Sequence, residues 1–218
     1  MKASFAAALA LSVIAPASAA PAGPAANVHR VFDIMREGSQ IGTNTFDITR
    51  SGDTTEVKIV THVLVKVMFV NAYRYDHKET ASYKGTQLVS FTATTNDNGT
   101  DHEIAAEQKD GKVILTVDGD TREAAKGIVP ASLWSADISN KPQLFDTGNG
   151  KLLSTKPRDL GDEMVEIHGV SQHLRHIKLS GQFDRDLWFD KDGLVKLAML
   201  GTDHSKITSE LRQSTAAR

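Results

Sequence analysis

Along most of the chain apolar and polar residues alternate in short runs, and a period of two places successive side chains on opposite faces of a strand. The runs predict strands at Val31 to Arg36, Ile41 to Thr49, Glu56 to Val70, Tyr73 to Tyr83, Leu88 to Thr95 and Glu103 to Gln108. A second series follows at Val113 to Val117, Lys151 to Thr155, Met164 to His168, His173 to Leu179, Phe183 to Phe189, Leu194 to Leu200 and Lys206 to Arg212. Between runs, Asn98-Gly99, Asp110-Gly111, Asp118-Gly119 and Asp192-Gly193 supply the residues that tolerate positive φ in tight hairpin turns. This order predicts an all-β fold, a single curved antiparallel meander that forms a barrel or half-open clam to manage its edges. The pattern breaks at Ala124 to Trp134, where Pro130 suits a first helical position, so one short helix is expected near 124–136. A single β domain is expected over 29–212, after a flexible tail at 20–28 and before a polar, frayed end at 213–218.

The longest run is apolar on both faces. Val57, Ile59, Thr61, Val63, Val65, Val67 and Phe69 share one parity, while Leu64, Met68 and Val70 make the second half of the other parity apolar too. Such a strand needs cover. Either these residues are the domain core, or Val63, Val65, Val67 and Phe69 line a concavity for an apolar or lipid-like ligand, with Tyr73 and Tyr75 at its mouth. The same parity continues to His77 and Glu79, which fall on one strand face about 7 Å apart. That spacing would allow an acid/base or metal-holding pair, but a polar and aromatic stripe of cross-strand contacts is the preferred reading.

The first residues read as a signal peptide over 1–19, with Lys2 as the positive start, an apolar stretch from Phe5 to Ala15 and an Ala17-Ser18-Ala19 cleavage site. A periplasmic or secreted protein is expected. No transmembrane segment is expected after cleavage, because Lys66 interrupts the most apolar later run. An outer-membrane barrel conflicts with Arg36, Asp47, Lys58, Arg74, Lys178 and Arg185 scattered through the strands.

Charge and motifs narrow the chemistry further. Twenty-five Lys and Arg against 27 Asp and Glu leave no basic excess for nucleic acid. With no cysteine there is no disulfide, thiolate nucleophile or cysteine-held metal. His173 and His176 have opposite parity and point away from a shared ligand. The acidic segment Asp184, Asp186, Asp190 and Asp192 misses the spacing of a calcium loop. Ser132 lacks the flanking glycines of a nucleophile elbow, and Gly148-Asn149-Gly150-Lys151 is too short for a phosphate loop. No catalytic residue, metal or cofactor is therefore assigned, and the pattern is silent on oligomeric state.

Several short stretches carry a family resemblance: Tyr73-Arg-Tyr-Asp-His-Lys-Glu79, the Gly85 to Gly99 hairpin, Pro130-Ala-Ser-Leu-Trp134, Leu144-Phe-Asp-Thr-Gly148 and Asp186-Leu-Trp-Phe-Asp190. With them the chain resembles an uncharacterised family of secreted Gram-negative β proteins, a domain of unknown function. The resemblance implies a periplasmic location and a curved antiparallel sheet, and it supplies no activity. In architecture it is loosely similar to periplasmic lipoprotein carriers whose half-barrels shelter acyl chains. The leading expectation is a non-enzymatic protein that binds an apolar molecule. The alternatives are a hydrolase or metal-dependent enzyme using His77 and Glu79, and an envelope scaffold that offers a free strand edge.

Overall fold

A computed structural model describes residues 26–67 and 70–217. Alternation becomes strands β1 (Ala26–Arg36), β2 (Ser39–Ser51), β3 (Thr54–Val67), β4 (Val70–Lys84), β5 (Gln87–Asp97), β6 (Thr100–Lys109), β7 (Lys112–Val117) and β8 (Asp120–Ala124). A connecting segment then carries β9 (Val129–Pro130), helix α1 (Ala136–Ser139), β10 (Gln143–Phe145) and β11 (Leu152–Ser154). The chain returns to strand in β12 (Arg158–Ile167), β13 (Val170–Leu179), β14 (Arg185–Asp190), β15 (Gly193–Leu200) and β16 (Lys206–Ala217). Thirteen strands form one antiparallel sheet in the order β12-β13-β14-β15-β16-β1-β2-β3-β4-β5-β6-β7-β8, which remains open between β8 and β12. Among the described residues the expected all-β meander and single short helix are present, in the half-open form. Among the described residues no helix is long and apolar enough to cross a membrane.

Two sequence expectations are corrected. The helix begins at Ala136, beyond Trp134, and Pro130 lies instead in β9, which pairs in parallel with β10. β9 is buried at both residues and β10 at two of its three, so neither shows the exposed face that alternation needs. The ends of the domain also differ from a tail and a frayed terminus. Residues 26–28 belong to β1, and 213–217 belong to β16, with Asn27 opposite Ala217 and Val31 opposite Gln213. Polar side chains in Gln213 to Thr215 report an exposed surface, whereas the backbone N–H and C=O groups pair regardless of side chain.

Curvature follows from side-chain reach. Arg30 of β1 is fully buried and forks onto both carboxylate oxygens of Asp190 at 2.7 Å, and it also donates to the Leu194 carbonyl at 2.5 Å. Its partners sit on the β14–β15 hairpin, two to three strands away, which at about 4.8 Å per strand a flat sheet would hold beyond easy reach. The sheet curls around a stopper formed by the connecting segment. Ile128, Leu133, Trp134, Ile138, Leu144 and Phe145 join Phe32, Phe46, Val57, Ile59, Phe91 and Leu187 in one buried cluster. Phe145 meets Phe91 edge-on at 5.1 Å, a favoured aromatic geometry. The stopper is tied to the other wing by the Leu194 N–H donating to the Trp134 carbonyl and by a bridge between Thr155 and Gly181.

Candidate functional site

Strand β4 holds most of the residues singled out by sequence, and its register sets their surroundings. Toward β3, Tyr73 lies opposite Val65, Tyr75 opposite Val63, His77 opposite Thr61 and Glu79 opposite Ile59. Toward β5, Tyr75 lies opposite Asp97, His77 opposite Thr95 and Glu79 opposite Ala93. One face of the sheet thus runs from a buried end at Val57, Ile59 and Ala81 to a partly exposed end at Val63, Val65 and Tyr73. At that end Val63 is the last β3 residue paired with β2, and Tyr75 the last of β4 paired with β5. Beyond them, among the described residues, β3 and β4 pair with each other, apart from the Asn98 N–H of the β5–β6 turn, which donates to the Arg74 carbonyl at 2.8 Å. Leu64 and Tyr73 are over a third exposed there. The side chain of Val67, and Phe69 altogether, lie outside the described residues.

Tyr75 marks the boundary between core and open end. Its ring stacks on His77 with centroids 5.9 Å apart, and its hydroxyl lies against the turn after β10, where a Cβ on Gly148 would come within 2.8 Å. A glycine at 148 is what lets this turn close over the phenol. Burial, together with the carboxylates of Asp146 and Glu79, raises the Tyr75 pKa above the ordinary phenol value. Tyr73 is raised likewise, by burial and then by its hydrogen bond with Asp97. Both hydroxyls stay protonated, with that of Tyr73 donating to Asp97.

His77 and Glu79 do meet. The ring is held from both sides, Nε2 at 2.9 Å from Glu79 Oε2 and Nδ1 at 2.8 Å from Thr95 Oγ1. Shared parity explains the first contact, and the register with β5 explains the second. His77 belongs to a polar row that crosses the sheet in register through Asn44, Thr61, Thr95 and His102. Within it Thr61 donates to Asn44 at 3.0 Å, and His102 contacts Asp118 at 2.7 Å. The pair is 3% and 5% exposed, so the arrangement fixes a ring orientation and can hold a proton between its members, but it presents neither reactive atom to solvent. A shallow groove of about 330 Å³ is lined by Asp76, Lys78, Thr94, Asn96, Asp101 and Glu103 together with His77, Thr95 and His102.

The four aspartates of the acidic segment and His176 have protein partners. Asp190 takes Arg30, Asp184 and Asp186 take Lys178, and Asp192 takes Lys191. His176 sits between Glu163 and Asp186 and stacks on Trp188 at 4.6 Å. Ser132 is buried beside Trp134 in the stopper. Sequence reading missed Thr95, Asp146 and Gly148, whose approach to β4 depends on strand order and a loop path. Tyr83 is legible in the sequence, since it continues the parity of Tyr73, Tyr75, His77 and Glu79 and so falls on the same strand face.

Fold and site together define an open, strongly curled antiparallel sheet stoppered by its own connecting segment, with a buried His–Glu pair behind a partly exposed apolar end. The chain belongs to the family described as a domain of unknown function (DUF6134), whose model matches residues 32–212 and so reaches into all thirteen strands of the large sheet. No curated protein matches it.

Proposed function

We propose that the protein is exported by its N-terminal signal and binds an apolar or lipid-like molecule at the open end of the curled sheet. The observation that carries this reading is the change of state along one face. Val57 and Ile59 are sealed by the core, whereas Val63, Val65 and Tyr73 on the same face stay partly open. An acyl chain laid there would continue the core's apolar surface, and the hydroxyls of Tyr73 and Tyr75 would meet its polar end. The filled interior at Val57 and Ile59 assigns those two residues to the core, so among the described residues the proposed ligand surface comprises Val63, Val65, Tyr73 and Tyr75.

The test begins with native mass spectrometry of protein purified gently from the periplasm, followed by organic extraction. The expected result is a mature chain starting at Ala20 with an extractable lipid-like molecule. Titration with cis-parinaric acid then measures affinity directly, and Val65→Asp is expected to weaken it at least tenfold with the melting temperature preserved. A clean apo mass together with no cis-parinaric acid binding overturns the reading.

One observation favours a second reading, a hydrolase: His77 contacts both Glu79 and Thr95, a third polar group from another strand. Turnover of p-nitrophenyl esters by the wild type, lost in His77→Gln, would establish it. Absence of turnover would leave the triangle as a structural network.

A further inference from the structure

Between β4 and the stopper, four side-chain atoms have no hydrogen-bond partner among the described residues: Glu79 Oε1, Tyr83 OH, Ser132 Oγ and Trp134 Nε1. All four side chains belong to residues at most 7% exposed. They also share a neighbourhood. The rings of Tyr83 and Trp134 are 5.4 Å apart at 52°. Burial raises the Tyr83 phenol pKa, the nearby polar groups of Trp134 and Ser132 pull it back down, and the charge of Glu79 adds to the rise.

The backbone is shaped to bring Ser132 and Trp134 to this place. Leu133 between them has φ +54°, a left-handed conformation that costs energy for a residue with a Cβ. Gly193, at φ +143°, makes room for the Trp134 backbone, since a Cβ there would lie 2.7 Å from the Trp134 carbonyl oxygen. That oxygen accepts from the Leu194 N–H at 3.2 Å, and the Arg50 guanidinium lies 5.8 Å over the indole. The indole is therefore held in place at the stopper, and its N–H makes no hydrogen bond of normal geometry among the described residues.

The donor inventory sets the ligand chemistry. An indole N–H only donates, a carboxylate oxygen only accepts, and the two hydroxyls do either. Buried polar groups in folded proteins almost always have partners, so four orphans in one place call for a bound species. We infer that Glu79, Tyr83, Ser132 and Trp134 form an internal site for one small neutral ligand of water's size, which accepts from the Trp134 N–H and donates to Glu79. The hydroxyls of Tyr83 and Ser132 complete its shell. Water itself has this chemistry and the three or so partners that buried waters take. The site is separate from the apolar end of the sheet. Through Glu79 it joins the stopper to His77 and Thr95, making one polar connection from the connecting segment across β4 to β5.

The test is NMR on the purified full protein labelled with nitrogen-15. Trp134 and Trp188 give the two indole N–H signals, and Trp188, which donates to Glu163 at 2.5 Å on the exposed side, is the internal reference. The expected result is a cross-relaxation peak between the Trp134 indole proton and water with the sign of a long-lived contact. Ser132→Ala, which removes one partner only, is expected to speed exchange of that proton at least tenfold and leave Trp188 unchanged. A missing water peak, with a direct contact from the Trp134 proton to the Tyr83 or Ser132 oxygen, overturns the inference, because the four groups would then satisfy one another. Exchange unaltered by Ser132→Ala counts against it as well.

Discussion

The buried Arg30 shows how much one residue can decide. Its guanidinium is held by the Asp190 carboxylate and the Leu194 carbonyl, and Asp190 also accepts the backbone N–H groups of Asp192 and Gly193. Removing one member of such a pair strands the other charge inside, which costs about 3–5 kcal/mol, more than the pair itself contributes. Asp190→Ala is therefore expected to lower the urea midpoint sharply. Arg30→Met combined with Asp190→Asn should recover a good part of the loss, since no unpaired charge remains and the amide oxygen can still cap the turn. A double variant no more stable than the single would contradict that account. At the surface the governing effect is titration. Asp203 is lowered from 3.8 to about 2 by hydrogen bonds from the Ser205 hydroxyl and backbone N–H, with Arg36 adding its charge. A folded-state pKa below the unfolded one stabilises at pH above the unfolded value, and that contribution is lost as pH falls from about 4 toward 2. Carbon-detected NMR titration should place the Asp203 midpoint near the low end, and Ser205→Ala should move it up toward the ordinary value. An unmoved midpoint would mean that the serine does not set it.

For the strands, partnership matters more than composition. β16 looks like an expendable terminus by its polar side chains, yet Gln213 to Ala217 stand opposite Val31 to Asn27, whose neighbours Val28 and Arg30 are buried. A chain ending at Arg212 is expected to lose hydrogen-exchange protection at those β1 amides that bond toward β16. The β1 amides bonded toward β2 should keep theirs, because the pairing of Asn27 to Val31 with Thr49 to Thr45 is untouched. Equal protection in the full and shortened chains would refute the pairing. Most of the sheet was legible because a half-buried strand writes its faces into the sequence: β1 buries Val28, Arg30, Phe32 and Ile34 in strict alternation. The stopper was not, since residues buried on all sides, such as Leu144 and Phe145, have no polar face to alternate with. The site divides the same way. The contact of His77 with Glu79 follows from parity within one strand, whereas Thr95, Ser132 and Trp134 reach β4 through register and a loop path that no local pattern records. The β12 edge illustrates another kind of local signal. Arg158, Asp159, Asp162, Glu163 and Glu166, with a register shift between Asp159 and Gly161, give it the charge and bulge that discourage strand addition, which weighs against a scaffold that recruits partners there.

Taken whole, the sheet is two meanders, β12 to β16 and β1 to β8, joined at their centre by the two ends of the described chain. Every other junction within each meander is a local hairpin, but the one between β16 and β1 brings together residues as distant as Asp33 and Arg212, 179 positions apart. Closing so long a loop before its contacts form is costly in entropy and slows folding. Asn27 and Ala217 are register partners, so a two-residue Asn-Gly turn can connect them as a hairpin. New ends can open between Lys126 and Gly127, which are exposed and lie between β8 and the stopper. In that permutant the thirteen strands become one uninterrupted meander, with the stopper leading. Loop entropy changes by about 0.6 kcal/mol per doubling of length, so four doublings give about 2.4 kcal/mol, an upper bound of roughly sixtyfold in folding rate. Stopped-flow refolding should therefore be about tenfold faster in the permutant, with the same far-ultraviolet spectrum and an unfolding rate close to that of the parent. Refolding at the parent rate would show that β16 docks on β1 only after the limiting step, with the two wings organised around the stopper first.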